Sequence, residues 1–261
     1  MTPDRLRQIA NLLFALGQLL LPLLIFTRGF DASTAQGPSA AAPNPASPAG
    51  YAFAVWGVIY LGGLAYAVLQ SLPGAGADPL FRRIGWLTAA GFALCCAWLY
   101  FARFGPVLLT VPIIFGMLIT LGPALMIALQ PSTSIGWTRE AFVRVPLAIY
   151  VGWLTAATFV NAADVLPDYG FDRFGLSPLI FGLGVIGAAA VLAISVVLFR
   201  PHPAYVATVL WALVAIAVAA GRPGLGNPVS LAACGAAALL LGVAAIRLLP
   251  RATSGNGFAS G

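Results

Sequence analysis

Apolar residues fall into eight long stretches, at about 9–26, 51–71, 85–102, 107–129, 143–164, 178–199, 204–220 and 229–249. Each comes close to the roughly 20 residues an α-helix needs to cross the hydrocarbon of a bilayer. The runs are too long and too uniformly apolar for strands, which would alternate with a period of two. Glycine and proline inside them are tolerated in membrane helices. The pattern predicts an all-α fold, a polytopic membrane helical bundle of about eight transmembrane helices.

Composition points the same way. The chain is 61% hydrophobic and 8% charged, where a soluble domain carries roughly a quarter charged residues. All 13 basic residues are arginine. They are scattered near the ends of apolar runs, only Arg82 and Arg83 being adjacent, and form no basic stripe, so the net charge is no nucleic-acid signal. Cys95, Cys96 and Cys234 lie within apolar runs and read as reduced core residues, and two adjacent cysteines make no CxxC site.

Arginine placement sets the expected orientation. With the N-terminus in the cytoplasm, Arg5, Arg7, Arg82, Arg83, Arg139, Arg144, Arg200, Arg247 and Arg251 fall inside, and only Arg28, Arg103, Arg173 and Arg222 fall outside. This predicts N-in and C-in. A rival reading of the first run is a secretory signal: Arg5 and Arg7, an apolar stretch to Phe26, then Ser33-Thr34-Ala35. The apolar stretch is long for that role. The longest connection, Thr27–Gly50, carries Pro38, Pro43, Pro45 and Pro48 and reads either as a disordered spacer or as a lid over the outer end of the bundle.

Two helical stripes carry the candidate chemistry. Phe53, Trp56, Tyr60 and Gly63 are spaced three, four and three apart, on one face of the second helix. Tyr51, at the entry, fits an interfacial belt. Tyr60 lies about 13 Å deeper at about 1.5 Å per residue, where a phenol needs a hydrogen-bond partner. On the fifth helix Tyr150, Trp153, Ala157, Asn161 and Asp164 share a face, with Asn161 an amide inside an apolar run. Trp98, one turn after Cys95, adds a third ring. These residues read either as helix–helix glue or as the walls of a cavity.

The segment Tyr150–Asn161 reads Y-x-x-W-x-x-x-A-T-x-x-N and resembles the fifth helix of the tryptophan-rich sensory proteins, bacterial relatives of the translocator protein. Tyr150, Trp153, Ala157, Thr158 and Asn161 match that motif, with Ile149 in place of its proline. Pro48–Tyr60 resembles the family's P-P-G-W-x-F-x-x-x-W-x-x-x-Y. Pro48, Gly50, Phe53, Trp56 and Tyr60 match, Tyr51 replaces the tryptophan, and one residue is missing between the phenylalanine and the next tryptophan. In the third-helix motif N-x-x-W-S, Trp98 matches while Cys95 and Leu99 replace the asparagine and serine. The resemblance covers about residues 8–166, so the expected organisation is a five-helix bundle over 1–166 with its long loop at 27–50, and a three-helix extension over 167–261.

What the resemblance implies is binding of porphyrins, haem intermediates or sterol-like molecules, stress sensing or tetrapyrrole handling, the bacterial cytoplasmic membrane, and dimers. Light-driven degradation of protoporphyrin, reported for some members, would put Trp56 and Trp153 against the macrocycle. On this reading Phe53, Trp56, Tyr60, Trp98, Tyr150, Trp153 and Asn161 hold a planar hydrophobic ligand. No cofactor is required, a porphyrin or haem-type molecule being a candidate ligand only, and no catalytic residue or metal site is assigned. The partners are the lipid bilayer, the small ligand and a homodimer mate, with no nucleic acid. The competing reading is a transporter or structural membrane component whose stripes are glue, motivated by the extra helices and the small face Gly184, Gly187 and Ala188, which suits helix packing or oligomerisation. No helix carries a mid-span acid, which disfavours ion-coupled transport. His202 sits in the turn Arg-Pro-His-Pro and reads as a solvated residue. An enzyme rests on family analogy alone.

Overall fold

The computed structural model describes residues 2–26, 44–131, 136–171, 173–221 and 227–249. It contains α1 (Pro3–Phe26), α2 (Val55–Ser71), α3 (Pro79–Phe104), α4 (Thr110–Ala128), α5 (Val145–Val165), α6 (Pro178–Phe199), α7 (Pro203–Gly221) and α8 (Pro228–Leu248). All eight belong to segments long and apolar enough to cross a membrane, and there is no strand among the described residues. Three of the starts follow one rule. Asp78, Ser177 and Asn227 each cap their helix by accepting from the backbone N–H of Leu80, Ile180 and Val229, and proline follows in the first turn. Helices α1 and α3 start several residues ahead of their apolar runs, with Arg5 and Arg7, and Arg82 and Arg83, in their first two turns. A π-type turn, Glu140–Arg144, precedes α5 just before Pro146, whose missing N–H interrupts the regular ladder.

The helices close two rings. In the first, α1 packs on α2 and α3, α3 on α4, α4 on α5, and α5 on α2. In the second, α5 packs on α6 and α7, and α8 packs on both of these. Helix α5 therefore belongs to both rings. Of its apolar window 72% is buried, against 50% for α7 and less for the others. Glycine permits both close approaches. A Cβ on Gly62 would lie 3.0 Å from the Pro146 Cβ, and one on Gly152 would lie 3.0 Å from the Tyr205 carbonyl oxygen.

The end where α1 starts is termed proximal, and the other end distal. Ion pairs gather at the proximal end: Asp4 with Arg7 (3.1 Å) and Arg82 (2.6 Å), Asp78 with Arg139, and Glu140 with Arg144 (3.4 Å). Two sequence readings need correction. His202 is buried, 4% exposed, because its turn folds inward and its Nε2 meets Glu140 Oε1 at 2.9 Å. Cys234 is exposed on α8, whereas Cys95 is buried. Gly184 and Gly187 have open space around them and pack no helix of this chain, so of the helix packing or oligomerisation expected of this face only the packing within the chain is absent. Of the loop expected to form a lid, residues 27–43 lie outside the described residues.

Candidate functional site

The site forms where α2, α3 and α5 meet inside the first ring. Helix α2 is entered through a 3-10 turn, Gly50–Ala54, and the residue absent from the resemblance motif falls at this turn. The tighter winding still brings Phe53 and Trp56 to the same ring of α5. Phe53 packs edge-on against Trp153 at 5.8 Å, and Trp56 packs edge-on against Trp153 and Tyr150 at 6.1 Å each. Trp56 also stacks on Tyr60 at 5.5 Å and on Trp98 at 5.8 Å. Six of the predicted residues, Phe53, Trp56, Tyr60, Trp98, Tyr150 and Trp153, thus form one continuous ring cluster centred on Trp56. Each such pair adds roughly 0.5–1.5 kcal/mol beyond burial.

Tyr60, Tyr150 and Trp153 are buried, 6%, 1% and 2% exposed, and Phe53 at the mouth is 37% exposed. The Tyr150 hydroxyl donates to Gln18 Oε1 at 3.1 Å. Cys95, at the asparagine position of the resemblance motif, sets its thiol beside the hydroxyls of Tyr60 and Tyr150. Asn161 stands two turns distal to Trp153 on the same helix and has no place in the ring cluster. Tyr51 is half exposed and packs on Trp211 of α7 at 5.3 Å.

The polar inventory of this region is incomplete. Trp98 Nε1, Trp153 Nε1, Thr158 Oγ1, Asn161 Oδ1 and Gln18 Nε2 are buried and lack a hydrogen-bond partner. Buried polar atoms are paired in the great majority of cases, and an orphan costs on the order of 1–3 kcal/mol. The rings fill most of the interior. The gap between Gly63, Tyr66, Phe92, Pro146, Leu147 and Tyr150 has no room for a water molecule, against the roughly 300–1,000 Å³ of ligand pockets. Among the described residues no group of three or more His, Cys, Asp or Glu could hold a metal ion.

A family model described as TSPO-like protein matches residues 8–246. The chain belongs to the TSPO-like protein family. No curated protein and no solved structure matches it. Membership together with the eight spanning-length helices makes it an integral membrane protein of the TspO type. The match runs on through α6, α7 and α8, beyond the residues that carry the aromatic motifs.

Sequence reasoning missed the polar stripe of α1. Arg7, Asn11 and Gln18 are all buried, at 1%, 0% and 0% exposed. Arg7 lies against Gly85 and donates to the Gly76 carbonyl at 3.0 Å. Asn11 donates to the Gly85 carbonyl at 2.7 Å and accepts from Thr88 at 2.7 Å, and Thr88 shares a 3.0 Å hydrogen bond with the Tyr66 hydroxyl. The Gln18 amide lies against Gly63, where a Cβ would stand 2.7 Å from Nε2 and the side chain would have to shift. The signal was available, since spacings of four and seven put these three residues on one face of an apolar helix.

Proposed function

We propose that this TspO-type membrane protein binds a planar hydrophobic ligand, a porphyrin or other tetrapyrrole or a sterol-like molecule, at the aromatic cluster, in a sensory or tetrapyrrole-handling role. The supporting observation is that the indole N–H groups of Trp98 and Trp153 are both buried without an acceptor at the edge of one continuous ring cluster. A ligand with peripheral acceptors would satisfy them and stack on Trp56. Its entry requires the rings to part, since the space beside Tyr150 is small. The arginine-rich proximal end corresponds to the cytoplasmic side on the positive-inside rule, and the distal mouth at Phe53 then faces outward.

The filled interior supports a second reading, in which the cluster is a packing core and binds nothing. Thermal unfolding with and without protoporphyrin separates the two. Binding to the folded state alone raises the melting temperature with ligand excess, the stabilisation being about 2.7 kcal/mol at a hundredfold excess over Kd. A melting temperature that stays fixed at saturating protoporphyrin supports the packing core and contradicts the ligand site.

A further inference from the structure

The second ring reaches the aromatic site from behind. Residues 44–54, the end of the long loop and the 3-10 turn into α2, lie between α5, α6 and α7. Asp164 Oδ1 on α5 accepts from Asn44 Nδ2 at 2.9 Å and from Ser47 Oγ at 2.8 Å. A Cβ on Gly182 of α6 would touch Pro45 at 3.4 Å. Helix α7 makes the remaining attachments. The Trp211 indole donates to the Ala52 carbonyl at 3.1 Å, the Ala49 amide donates to the Ala215 carbonyl at 3.0 Å, and the Trp211 ring packs edge-on against Tyr51. Ala46, Ala49 and Ala52 are buried as a result.

Helix α7 also fixes the opposite wall. The Tyr205 hydroxyl shares a 2.9 Å hydrogen bond with Thr155, and Tyr205 and Thr208 lie against Gly152, next in sequence to Trp153. One helix outside the first ring thus holds both the segment that carries Phe53 and the helix that carries Trp153. The Ala49 attachment needs a backbone N–H. Ala49 stands where the second-helix motif has its second proline, and proline has no N–H to donate.

We propose that α7 is a brace that sets the position of the site's outer wall, with Trp211 and the Ala215 carbonyl as positioning groups for residues 49–56. On this proposal the C-terminal helices hold the mouth at Phe53 in register with Trp153. The importance of that register rests on the ligand-site reading. The bracing itself does not.

The test is hydrogen exchange read by mass spectrometry on the full chain in lipid nanodiscs. It compares wild type, Trp211→Phe, Ala49→Pro and, as a control, Trp86→Phe at an exposed position on α3. Ala49 has φ −59° and ψ 143°, so proline fits its backbone dihedrals, and its ring Cδ takes the place of the amide proton, which removes the bond and sets a carbon against the Ala215 carbonyl. The brace predicts roughly three- to tenfold faster exchange in peptides covering 50–56 for both α7-contact variants, the effect of losing one hydrogen bond, with α1, α3 and α4 unchanged. Unchanged exchange over 50–56, or acceleration spread evenly along α6–α8, overturns it. A protoporphyrin titration of the same samples keeps the two readings apart. Faster exchange with no quenching in any sample retains the brace and rejects the ligand, and quenching with unchanged exchange does the reverse.

Discussion

Replacing Asn11 by leucine tests whether the polar stripe of α1 holds the first ring together. Asn11 is fully buried, and leucine of similar size gains no new contact with lipid. The substitution removes two bonds between α1 and α3, to the Gly85 carbonyl and from the Thr88 hydroxyl. Thr88 remains able to donate to Gly85 at 3.0 Å and to pair with Tyr66, so the remaining groups are partly satisfied. Interhelical hydrogen bonds in membranes are worth about 0.6 kcal/mol on average and about 1.7 at most. Two of them give an expected loss of roughly 1–3 kcal/mol. The assay is unfolding in mixed micelles of increasing denaturing detergent, followed by far-UV circular dichroism. Thr88→Val and the double variant complete a cycle, whose coupling energy should be at least about 0.5 kcal/mol. A loss below about 0.5 kcal/mol for Asn11→Leu, or strict additivity with Thr88→Val, refutes the reasoning.

Gly152→Leu should push α5 away from α7, since even a Cβ there lies 3.0 Å from a backbone oxygen. A cost of roughly 1–3 kcal/mol is expected, and an unchanged unfolding midpoint would show that the two helices do not pack at this point. Asp164→Leu removes the shared acceptor of Asn44 and Ser47 and should speed proteolytic cleavage near residues 44–49 severalfold. Equal cleavage rates would show that the contact does not hold the segment. Tyr150→Phe removes the bond to Gln18 and should cost about 0.5–1.5 kcal/mol in thermal unfolding. A more stable variant would mean that the hydroxyl is strained there.

The fold class was legible because a bilayer demands long apolar runs, and this chain has eight of them. The two aromatic stripes were legible because rings at spacings of three and four must share a helical face, and α2 and α5 do set them against each other at Trp56. The partners of polar residues were less visible. Asn11 and Gln18 are single polar letters within a leucine-rich run, and their meaning depends on Gly85, Thr88 and Gly63, far away along the chain. His202 sits in a turn whose composition reads as solvated, and only the inward fold onto Glu140 buries it. The outward setting of Gly184 and Gly187 was hidden because α6 is apolar on every side, so its sequence marks no lipid-facing stripe. The shared role of α5 was hidden for the same reason: a helix buried on two sides and one facing lipid have similar composition.

The most direct measurement is a protoporphyrin titration of the purified protein, read by intrinsic tryptophan fluorescence in wild type and Trp153→Phe. The account predicts saturable quenching in the wild type, with weaker binding in the variant, because Trp153 packs directly on Trp56 and supplies an unpaired N–H. Quenching no greater than in a protein-free detergent blank containing free tryptophan, or binding unaffected by the substitution, would contradict the placement of the ligand at this cluster.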